Sequence, residues 1–73
     1  MILTAKDCEQ IRSTTVLAQD TETGQRLDMI IQGVNKDGSP DIIFCIYGPK
    51  GWVNNRRNFI EAIKIFNEVI EIL

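Results

Sequence analysis

The 73-residue chain contains no histidine. That removes the commonest general base and the commonest metal ligand together. Cysteine is scarce as well: Cys8 and Cys45 are the only two, far apart in the sequence. A structural zinc site normally takes four Cys or His ligands, so no metal is expected. Two cysteines among ordinary core residues read as small buried hydrophobes. Nucleophilic catalysis by either thiol lacks its usual partner base. Gly48-Pro49-Lys50-Gly51 has the wrong spacing for a phosphate-binding loop. The expectation is a protein without cofactor and without enzymatic activity. No apolar run approaches the ~20 residues of a membrane span. Met1-Ile2-Leu3 is followed at once by Thr4 and Lys6-Asp7, which is no secretory signal. The expected location is therefore the cytoplasm, with reduced thiols.

The balance of charge is mild. Eight Lys and Arg against ten Asp and Glu leave a net charge of −2. Apolar residues at 44% and charged residues at 25% are ordinary globular proportions. They exclude a disordered tail and a cationic nucleic-acid coat. The chain is read as one small domain over residues 1–73, opened by Met1 and closed by an apolar helix. A core of this size rarely yields more than about 3–5 kcal/mol, so small domains add a staple, a metal or a second subunit. With the first two unsupported, self-association is expected.

The predicted fold class is α+β: a short N-terminal helix, a three-stranded antiparallel meander, and a long C-terminal helix packed on the sheet. Residues 4–12 carry the first helix signal, with Thr4 and Asp7 in a capping arrangement and Cys8 and Ile11 on one face. The rival for this stretch is a strand from Met1 to Thr4. Thr14–Gln19, Arg26–Val34 and Asp41–Tyr47 are the predicted strands, rich in β-branched residues. Thr21-Glu22-Thr23-Gly24 and Asn35-Lys36-Asp37-Gly38 are the turns between them, with glycines able to take positive φ. Pro40 suits the start of a strand. Gly48 to Gly51 then breaks the sheet, and Asn54 or Asn55 caps a helix running to about Ile72.

That last helix holds a stripe of Phe59, Ile63, Phe66, Ile70 and Leu73, widened by Ala62 and Val69. Ile60, Ile65 and Ile72 fall outside it. The third strand is apolar on both faces, with Ile42, Phe44 and Ile46 on one and Ile43, Cys45 and Tyr47 on the other. Such strands are usually covered on both sides. The excess apolar surface assigns Ile43, Cys45, Ile60, Ile65 and Ile72 to a homodimer interface; the alternative is that the N-terminal helix covers the excess.

One segment breaks the acidic background. Residues 1–46 hold four cations and seven acids, whereas Tyr47 to Arg57 holds Lys50, Arg56 and Arg57 and no acid. It also holds the only Trp and the only Tyr. Arg56 and Arg57 are expected in the first turn of the helix, where the dipole disfavours cations, so a functional reason is sought for them. Tyr47, Lys50, Trp52, Arg56 and Arg57 form the candidate contact surface. Trp, Tyr and Arg are the residue types enriched at protein-binding hot spots. The expected function is a non-catalytic protein-binding module, an inhibitor or adaptor of the kind found in phage and mobile elements. The alternative is a single-stranded nucleic-acid binder, with Trp52 and Tyr47 stacking on bases and the cations holding phosphates. The structural rival has Trp52 capping the core and the arginines paired with nearby acids.

Overall fold

The computed structural model describes Ile2, Thr4, Lys6 and residues 12–72, with side chains as far as Val69. Four antiparallel strands follow one another in sequence and in space: β1 (Arg12–Asp20), β2 (Gln25–Val34), β3 (Pro40–Gly48) and β4 (Gly51–Arg56). One helix, α1 (Phe59–Ile72), completes the chain. The sheet thus has four strands where three were expected. Of the N-terminal helix expected over residues 4–12, only Thr4, Lys6 and Arg12 are described; the described residues include no N-terminal helical element, and Arg12 instead opens β1.

The first three strands form where β-branched residues accumulate, within two residues of the expected limits. Their turns follow from local chemistry. The Asp20 carboxylate accepts from Glu22 N at 2.9 Å, and Gly24, at φ +79°, donates its N–H back to the Asp20 carbonyl. A side chain at Gly24 would also press on the Pro49 backbone at 3.0 Å, so the position needs glycine for space as well as for conformation. In the second turn Asp37 accepts from the Ser39 main chain and hydroxyl, at 3.0 and 2.5 Å. Those two bonds, to the hydroxyl first, hold the Asp37 carboxyl below its ordinary value of 3.8. Pro40 opens β3, where its missing N–H is tolerated.

The fourth strand overturns the reading of residues 48–57. Gly48 and Gly51 pair across a tight turn at Pro49-Lys50, so the segment reverses the chain without ending the sheet. Asn54 and Asn55 lie in β4 opposite Ile46 and Cys45. The helix cap is Asn58, whose side-chain oxygen accepts from Glu61 N at 3.0 Å. Arg56 closes β4 and Arg57 precedes the helix, so neither occupies its first turn.

The helix packs on β2, β3 and β4. Register fixes the faces: Leu27 opposes Ile46 and Met29 opposes Phe44 on the helix side. There Leu27 and Ile46 meet Ala62 and Val69, with Ala18, Phe44, Ile63, Ile65 and Phe66 around them. The buried line of the helix is therefore Ala62–Val69, rather than the stripe led by Phe59, which is half exposed against Phe44. Gln25, fully buried, donates to the Phe66 carbonyl at 2.9 Å and accepts from Thr23 at 2.9 Å. This pins the β1–β2 turn to the helix. The core is small and the molecule long. Its radius of gyration is 14.4 Å, against about 11 Å for a compact domain of this length.

Candidate functional site

The opposite face of the sheet carries different chemistry. Asp28 opposes Cys45, Ile30 opposes Ile43, Arg26 opposes Tyr47, and Tyr47 in turn opposes Trp52. Among the described residues no element is layered on this face, yet Asp28 is only 3% exposed. Its partner is Arg26, whose Nε donates to the carboxylate at 2.9 Å. The same guanidinium lies over the Tyr47 ring, 4.3 Å from the centroid. Buried carboxylates need such pairing, and an aromatic face favours the cation that supplies it. Asp28, Arg26, Tyr47 and Trp52 therefore run as one row across three strands. Neither Asp28 nor Arg26 is among the candidate site residues that the sequence singles out. The signal was present as a charge pair at a spacing of two, which puts both side chains on one face of a strand.

Cys45 lies beside this row, buried and free. Burial, then the Asp28 charge, raises its thiol above its ordinary value, with Arg12 opposing. That suppresses the nucleophilic thiolate. Among the described residues no three His, Cys, Asp or Glu side chains gather as metal ligands.

The structure divides the candidate contact residues. Tyr47, Lys50 and Trp52 come together at the β3–β4 hairpin, and Trp52 is 60% exposed. The alternative in which Trp52 caps the core does not hold. The ladder slips between Ile46 and Tyr47, leaving Val53 as the extra residue on β4. Gly48 has no side chain, and the space a Cβ would fill is closed by Val53 and Val69 at 3.2 and 3.4 Å. Around this point a hollow of about 430 Å³ is lined by Gly48 to Val53 and Val69. Lys50 is the one charged residue in that lining.

Arg56 and Arg57 sit at the far end of β4, about 13 Å from Trp52 at strand rise. Arg56 opposes Phe44 and so belongs to the helix side. Its guanidinium donates to the Asn54 side chain at 2.5 Å and to the Asn55 carbonyl at 2.7 Å. Asn54 in turn accepts from Asn55 N at 2.8 Å. Both main-chain groups of Asn55 are thus held by neighbouring side chains. Arg57 is paired with Asp41. The residues assigned to a dimer interface fall on two sides. Ile43 and Cys45 share the sheet face opposite the helix, Ile65 packs against the core, and Ile60 is 72% exposed on the helix. The side chain of Ile72 is outside the described ones.

Comparison with known protein families, curated proteins and solved structures finds no match for the chain. Among the described residues no helix is long and apolar enough to cross a membrane.

Proposed function

We propose that the protein is a small non-catalytic module, an inhibitor or adaptor in kind, that docks onto another protein through the β3–β4 hairpin. One observation carries this reading: the only tryptophan, Trp52, stands 60% exposed on a tight hairpin directly across from Tyr47. A large aromatic held in water on an ordered strand loses little entropy when a partner covers it, and such residues anchor interfaces. The nucleic-acid alternative loses support from the charges. Arg57 and Arg26 are paired with carboxylates and Arg56 faces the other side, so among the described residues Lys50 is the one cation beside the aromatic pair that is in no ion pair. One phosphate contact gives little affinity and little salt dependence.

The test is Trp52→Ala. It is expected to keep the circular dichroism spectrum of the parent and to lose capture of a specific partner from cell extract. Unchanged capture would remove the hairpin from consideration. The homodimer belongs to the same proposal, supported by the exposure of Ile60 and by the small core. It predicts a dimer mass in sedimentation at micromolar concentration, and a monomer there would end it. The cytoplasmic location is likewise proposed, because the free Cys45 thiol fits a reducing compartment.

A further inference from the structure

Resting on the hairpin as the contact site, we infer that its partner is an extended acidic segment carrying one large apolar side chain. The apolar side chain would seat in the hollow between Trp52, Val53 and Val69 while a flanking carboxylate meets Lys50. Three observations converge on this chemistry. The walls are apolar apart from Lys50, and 430 Å³ admits a phenylalanine or leucine side chain with room to spare. The charge is one-sided: Lys50 is the one charged residue lining the hollow, within a protein of net charge −2. Lys50 takes part in neither ion pair found among the described residues, which are Arg26–Asp28 and Arg57–Asp41.

The third observation concerns the outer edge of β4, the last strand of the sheet. An edge strand offers main-chain groups to a further strand. At Asn55 those groups are already held by Asn54 and Arg56. Among the described residues no side chain bonds the main chain of Gly51, Trp52 or Val53. The part of the edge that no side chain blocks therefore includes the part beside the hollow. An extended segment can add strand-like bonds there and place one side chain into the adjoining pocket, the mode of recognition used at exposed sheet edges. Opposite charge at the rim sets its orientation and speeds its arrival.

The experiment uses the whole chain and three eight-residue probe peptides: one of glutamates around a single phenylalanine, one with that phenylalanine replaced by serine, and one with the glutamates replaced by lysines. Trp52 emission reports binding at the site, and the amide resonances of Gly51 and Val53 locate it. The acidic phenylalanine peptide is expected to saturate the signal. The serine peptide should bind about 10- to 100-fold more weakly, from the loss of one buried apolar side chain. Lys50→Gln should weaken the acidic peptide about two- to fivefold, as expected for a charge pair at a wet rim. Lys50→Glu should reverse the preference toward the lysine peptide. Equal binding of the acidic and lysine peptides, or no binding of any peptide, overturns the inference. If the peptides fail while Trp52→Ala still loses the cellular partner, the acidic chemistry is wrong and the docking site stands. If neither responds, both fall.

Discussion

The two faces of this sheet are made from alternate residues of the same strands, and they solve burial in opposite ways. Toward the helix, Leu27, Phe44 and Ile46 meet Ala62, Phe66 and Val69, and the principal polar intruder is Gln25, satisfied by the helix main chain. Away from it, a carboxylate is buried at Asp28 and is tolerated because Arg26 pairs with it and lies over Tyr47. The first face gains its free energy from apolar area. The second face gains little from its ion pair, since desolvation offsets most of the attraction. What the charged row does supply is position. Arg26, anchored below by Asp28, holds Tyr47, and Tyr47 is the cross-strand neighbour of the exposed Trp52. On the proposed reading, docking centres on Trp52 and stability on the helix face, with Val69 shared by the core and the hollow, and mutations at Trp52 and Ile46 should separate the two.

The sharpest break is Ile46→Ala at the centre of the helix face, where the side chain is fully buried. Truncation of this kind costs about 2–5 kcal/mol. That is comparable to the roughly 3–5 kcal/mol a domain this small possesses, so urea titration at room temperature should find the variant largely unfolded. Arg26→Ala on the other face should cost about 2 kcal/mol, by stranding the Asp28 carboxylate. The partial exposure of Arg26 keeps the loss below that of a fully buried pair. Asn58→Ala, which removes the cap of the helix, should cost about 1 kcal/mol. Trp52→Ala should stay within about 0.5 kcal/mol of the parent, as a side chain exposed to water does. If Trp52→Ala destabilises as much as Arg26→Ala, the proposed division between stability and docking is wrong.

Much of the helix face was legible in the sequence, and the reason is periodicity. Leu27, Met29 and Ile31 alternate as a half-buried strand must, and the Asp37-Gly38 turn fixes where the next strand begins. The fourth strand was not legible. Gly-Trp-Val-Asn-Asn-Arg holds two strand-forming residues in six, and Asn54-Asn55 imitates a helix cap. Its strand state comes from pairing with β3, which local preference does not encode. One better signal was available: Asn58 stands three residues before Glu61, the spacing of a cap, and its use would have started the helix after Arg57 and freed 51–56 for the sheet. The charged row was not legible, because composition alone gives Asp28 and Arg26 no common partner. Only the register shows that Arg26 and Asp28 share a face with Tyr47.

The smallest effect belongs to neither face and so calibrates both. Asp37, in the exposed β2–β3 turn, has its carboxyl held below 3.8 by the Ser39 hydroxyl and then the Ser39 main chain. The unfolded carboxyl binds a proton more readily than the folded one. The stabilisation is therefore complete above the unfolded value and is lost as pH falls through the folded value. Comparison of thermal midpoints for the parent and Asp37→Ala should show a small gap at neutral pH that closes below pH 3.8. The Ser39 bonds reach a carboxylate at neutral pH and a neutral acid at low pH, and only the former is a strong acceptor. If the gap of the turn variant does not close with acid, the Asp37–Ser39 bonds do not persist in solution.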